Sequence, residues 1–278
     1  MVSTSVIAAV CVTLFLSLLL PIILFILYGA LNRGKGVWTA WLLGAAGFFI
    51  SQAVIRIPLL NLLSLNQGFL DFATDHYTLY CLMLAFTAGL FEAAGRYLVA
   101  RGMEKQLTFE RGFAAGLGHG GIEAILIVGM TYVNNLLYIL MINGGTFDQL
   151  IEQANQLGAD TSALQMTREI LIGSGPGIFY LAGYERLLTM VFHVALSLLV
   201  CYFVRNKKGL QGALICLLLH GAVDFVAPFI NGMASGNPES ILSPTAAYIL
   251  IYGFLTIVAA ASAAYILYVR KQWKGKVS

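Results

Sequence analysis

Three of the four histidines in this chain lie inside apolar stretches long enough to cross a membrane. Two of them have a carboxylate four residues on: His119 with Glu123, and His220 with Asp224. His193 stands on the apolar stretch between these pairs. An i, i+4 spacing puts both members of a pair on one helix face. Ionisable groups in hydrocarbon are costly, and they face a bundle interior where they serve a site. Three imidazoles plus a carboxylate are the N/O set that a catalytic zinc takes, with one position left for water. A carboxylate beside an imidazole can orient it, or it can take the proton of a water. The expectation is a shared metal or acid–base site: His119, His193 and His220 as ligands, Glu123 as general base, Asp224 orienting His220. The other reading of each histidine is an interhelical hydrogen-bond donor.

Depth supports a shared site. At about 1.5 Å of rise per residue, Glu123, His193 and His220 each fall about 17 Å from a membrane face. With a hydrocarbon core of about 30 Å, that is one middle layer. His119 falls one turn toward the cytoplasmic side, and Asp224 one turn toward the outside. His76, in "DFATDHY", reads as a solvated loop residue. Two further groups could support the site. Glu92 and Arg96, in "FEAAGRYLVAR", share a face one to two turns inside the cytoplasmic boundary. They read as an intrahelical ion pair, or as a brace beneath the site. Glu185 shares the His193 face at i−8, and it can equally pair with Arg186. The glycines of "GFAAGLGHGG" form a small-xxx-small face that lets helices approach closely.

The elements that must hold these groups are membrane spans. The chain has 278 residues, 59% of them apolar and 10% charged, against about 25% charged in a soluble domain. This is the composition of an all-α, polytopic helical bundle, read as one integral-membrane domain over 1–278. Seven spans are expected near 5–30, 37–60, 78–100, 112–142, 182–204, 210–231 and 244–269, each near the roughly 20 residues a bilayer needs. The first lacks the basic n-region of a secretory signal and is expected to remain as an anchor. The four cysteines form no C-x-x-C pair and read as buried apolar residues. The net charge of +3 points to no nucleic-acid partner.

Basic residues alternate by connection. Arg33 and Lys35; Arg101, Lys105 and Arg111; Arg205, Lys207 and Lys208; and Arg270, Lys271, Lys274 and Lys276 make up 12 of the 16. The connections 61–77, 143–181 and 232–243 contain only Arg168. The positive-inside rule then puts the N-terminus outside and the C-terminus in the cytoplasm, in the cell membrane. The long outer loop, 143–181, carries two short amphipathic patterns and reads as a surface-lying segment or a lid.

The segments "FEAAGRY", "GLGHGGIEA", "TMVFHVALS" and "LLLHGAVDF" resemble the YhfC family of intramembrane metalloproteases. That family lies in a wider superfamily with type II CAAX prenyl endopeptidases, PrsW proteases and the Aph subunit of γ-secretase. The prenyl endopeptidases of that superfamily carry E-E-x-x-x-R, F-x-x-x-H and H-x-x-x-N/D motifs on successive core helices. On that pattern Glu123 matches the water-activating glutamate, His193 the second motif, and His220 with Asp224 the third. The chain departs from it: there is no Glu-Glu pair, Ile127 stands where an arginine would follow Glu123, and Thr189 precedes His193 by four. Glu92 and Arg96 are a rival match to E-x-x-x-R. The resemblance implies an intramembrane endopeptidase with a divalent metal such as Zn²⁺. Its substrate would be a membrane-embedded protein or a lipopeptide, met among membrane lipids. The alternatives are a proton-coupled transporter using the same groups as a relay, or a non-catalytic scaffold of the same fold.

Overall fold

A computed structural model of the chain describes residues 1–234 and 241–274. The middle of the expected 232–243 connection and the basic residue Lys276 lie outside the described residues. Among the described residues there is no strand, and seven helices are long and apolar enough to cross a membrane. They run Thr4–Leu31, Val37–Leu63, Tyr77–Gly102, Phe109–Gly144, Gly177–Arg205, Gly209–Met233 and Pro244–Trp273, and are called here the first to seventh spans. Helices suit these sequences because each backbone N–H and C=O is satisfied within its own segment, where no water is at hand.

Three spans are not uniformly α-helical. The first, second and fourth contain π-helical stretches at Phe15–Leu19, Phe49–Arg56 and Ala124–Gly129. Such insertions widen one turn and often mark functional sites. The fourth span's stretch begins directly after Glu123, and the second span's includes Ser51, Gln52 and Arg56.

The chain divides into two compact units. The first comprises Met1–Ile23 and Ala124–Leu187. Its core joins Val6, Ala9 and Val10 to Tyr132, Ile139, Leu171 and Phe179. Thr13 Oγ1 donates to the Phe179 carbonyl (2.6 Å), and the Val2 amide donates to Asn143 Oδ1 (2.8 Å). The long connection folds as two helices, Phe147–Gln156 and Ser162–Gly173. These bury Phe147 and Leu171, and Arg168 pairs with Asp148 across them.

The second unit comprises Leu24–Glu123 and Leu188–Ser278. Its core is built on the second half of the fifth span, where Phe192, Val194, Leu196, Leu198–Cys201 and Val204 are buried. The third span packs along the sixth, and the second along the start of the fourth. Close approach depends on glycine at two positions near the polar centre. A Cβ at Gly89 would come within 2.6 Å of the Leu217 carbonyl, and one at Gly120 within 2.9 Å of His193 Cβ. Basic connections gather at one end of this unit. Lys35 pairs with Glu110 (2.9 Å), and Lys207 and Arg101 both pair with Glu104 (2.6 and 2.5 Å). The hydrogen bond from Lys207 holds the Glu104 carboxyl below the usual carboxylate range.

Candidate active and metal site

Depth along each helix explains why four polar residues meet. Glu92 lies ten residues before the end of the third span, and His119 ten after the start of the fourth. His193 lies twelve before the end of the fifth span, and His220 eleven after the start of the sixth. At 1.5 Å per residue all four are about 15–18 Å from the basic end of their helices. Their side chains are 1–6% exposed.

Glu92 is the hub of this cluster. Its Oε1 accepts from Gln52 Nε2 (3.0 Å). Its Oε2 accepts from Arg96 Nη1 (3.0 Å) and lies 2.9 Å from His119 Nε2. The same oxygen is 3.4 Å from His220 Nδ1 and 3.7 Å from His193 Nδ1. A buried charge of this kind must be paired and hydrogen-bonded, and Glu92 has both kinds of partner.

Arg96 reaches two imidazoles and sets the tautomer of one, His193. A guanidinium only donates. Its Nη2 lies 2.5 Å from His193 Nδ1, so that nitrogen accepts, and the ring's proton sits on Nε2. His193 Nε2 lies 2.7 Å from Glu123 Oε2, within ion-pair distance. At His220 the Nδ1 faces both an acceptor and a donor, with Glu92 Oε2 at 3.4 Å beside the guanidinium. Arg96 Nη1 is 3.5 Å from its Nδ1, and its Nε2 faces Asp224 Oδ2 at 3.2 Å. Both rings are therefore lined up between an internal cation and a peripheral carboxylate. Those carboxylates are the accessible part of the site: the side chains of Glu123 and Asp224 are 15% and 36% exposed. His119 and His193 stack with centroids 5.6 Å apart, and His193 meets His220 edge-on at 5.4 Å.

The structure thus brings together His119, Glu123, His193, His220 and Asp224, and adds Glu92 and Arg96 at their centre. Glu185 belongs to the other unit, eight residues before His193, where it pairs with Arg186. Two contributors escaped the sequence reading. Gln52 and Arg56 of the second span extend the network, with Arg56 Nη1 donating to Gln52 Oε1 (3.2 Å) and Nη2 to the Leu84 carbonyl (2.7 Å). Their signal was present in "SQAVIR", a charge and an amide inside a span.

One atom each from Glu92, His119 and His193 lie within 4.8 Å of one another. Imidazole nitrogen and carboxylate oxygen are the donor chemistry of a divalent ion such as zinc. His193 Nδ1 and Glu92 Oε2 already present lone pairs to a cationic group, Arg96. The donor set therefore fits a divalent cation.

Fold and site together define a multi-pass membrane protein with an acid–histidine centre buried at mid-depth. The chain belongs to the YhfC intramembrane metalloprotease family, whose model matches residues 16–237. It is also similar to a Bacillus subtilis (strain 168) protein described as "Uncharacterized membrane protein YhfC". The two are 35% identical over 180 residues, covering 64% of this chain and 67% of that protein. No solved structure matches the chain.

Proposed function

We propose that the chain is an intramembrane endopeptidase that hydrolyses a peptide bond of a membrane-embedded or lipidated polypeptide. The observation that carries this reading is Glu92 Oε2 within 3.7 Å of nitrogens from three histidines on three spans. The family membership supports a metal-assisted hydrolase. A site at mid-depth suits a substrate bond lying within the bilayer.

Glu92, His119 and His193 would hold the ion, with His220 Nδ1 facing the same carboxylate oxygen. A divalent metal, zinc by its N/O preference, would supply Lewis acidity for the scissile carbonyl and for water. Glu123 is the general base. It is the more open of the carboxylates on His193, and it takes a proton as water attacks the carbonyl carbon. As the C–N bond breaks, that proton passes to the leaving amine. The His193 ring beside it holds Glu123 in place, and Asp224 orients His220. Gln52 and Arg56 position Glu92 from the second span.

The test compares membrane peptides from cells making the wild-type chain and the Glu123→Gln chain by profiling new N-termini. The expected result is a set of termini inside or beside apolar segments that the variant lacks. Identical sets, with both chains equally abundant in the membrane, would refute the assignment.

A further inference from the structure

The Arg96 guanidinium contacts two of the three candidate ligand groups, Glu92 and His193. Its Nη2 is 2.5 Å from His193 Nδ1, and its Nη1 is 3.0 Å from Glu92 Oε2 and 3.5 Å from His220 Nδ1. A ring nitrogen has one lone pair. A metal–imidazole bond of about 2.0–2.1 Å would point along the direction the guanidinium already uses. Arginine does not lose its proton in proteins, so the conflict cannot be relieved by neutralising it.

The other edge of the same side chain is under-used. Arg96 Nε is buried without a hydrogen-bond partner, and so is Ser197 Oγ. Both residues line a cavity of about 10 Å³ together with Cys201, the size of a single water site. Ser197 Oγ is thus an acceptor without a partner beside the same small cavity as Arg96, which His119 also lines.

We propose that Arg96 is a built-in competitor for the metal. The guanidinium and a divalent ion take the same lone pairs of Glu92 and His193 in turn, and Ser197 receives the guanidinium when the ion is held. This inference rests on the metal-assisted reading above. It adds that the cluster is closed to metal while Arg96 faces it, and that a movement of one side chain opens it.

The test is a titration of the purified full-length chain in detergent with Co²⁺, read by its visible absorption, and with Zn²⁺ by competition. Arg96→Gln removes the charge and keeps a polar side chain. It should bind about tenfold more tightly or better than wild type, the scale on which a group bonded to metal ligands alters affinity. Arg96→Lys keeps the cation and should bind no more tightly than wild type, which also guards against a glutamine variant that fails to fold. Ser197→Ala should weaken binding in the wild-type background and leave Arg96→Gln unchanged, a coupling that a merely structural role would not produce. Equal or weaker binding by Arg96→Gln, where wild type binds, would overturn the competition and leave the metal site standing. Absence of binding in every variant would overturn both.

Discussion

Glu92 has more partners in the cluster than any other side chain, and it is where the residue-level account is most exposed to test. Glu92→Gln leaves Arg96 as an uncompensated buried charge. Breaking a buried pair in this way costs about 3–5 kcal/mol, to be read as a lowered denaturation midpoint in detergent. Gln52→Leu removes the partner of Glu92 Oε1 and should cost about 1–3 kcal/mol. Glu123→Gln, in a more open position, should leave the midpoint nearly unchanged while removing turnover. The tautomer can be checked directly: ¹⁵N spectra of labelled histidine should show His193 protonated at Nε2 only. A protonated Nδ1 on His193 would contradict the role given to Arg96. The histidine–carboxylate pairs were legible in the sequence because i, i+4 spacing within one helix needs no knowledge of neighbours. The central place of Glu92 was less so. Counting placed it one to two turns inside the boundary, whereas the third span runs on to Gly102 and sets Glu92 about 15 Å in. Its partners also come from four other helices, which no spacing rule reports.

At the scale of the element, the seven spans could be read from apolar runs alone, because the bilayer demands both length and hydrophobicity. The π-helical stretches could not. An extra residue in a turn is decided by what packs against it, and "FISQAVIR" has the same composition either way. The approach of the helices depends on Gly89 and Gly120. Gly120→Val would press its side chain on His193 Cβ, already within 2.9 Å of a Cβ at that position. The expected result is displacement of His193 from Glu123 and a loss of turnover of about 10²-fold or more, the effect of misplacing a catalytic group by about 1 Å. Gly34→Ala, where no atom lies within 4 Å, should leave turnover intact despite some strain in the turn, and it serves as the control for expression and folding.

Across the whole molecule, the alternation of basic connections predicts an outside N-terminus and a cytoplasmic C-terminus. The clustering of Lys35, Arg101 and Lys207 on Glu110 and Glu104 puts three of these connections at one end of the second unit. A green fluorescent protein fused to the C-terminus should therefore fluoresce, and alkaline phosphatase at the same point should be inactive. The reverse pattern would invert the bundle and place the site's carboxylates toward the other face. The central claim is that the buried cluster performs hydrolysis, and it is tested most directly in proteoliposomes. The measurement is the cleavage rate of a membrane peptide identified by terminus profiling, for the wild-type and Glu123→Gln chains at matched density. The account predicts a loss of about 10²–10⁴-fold in the variant, the usual contribution of a general base. Cleavage by Glu123→Gln at the wild-type rate would contradict it.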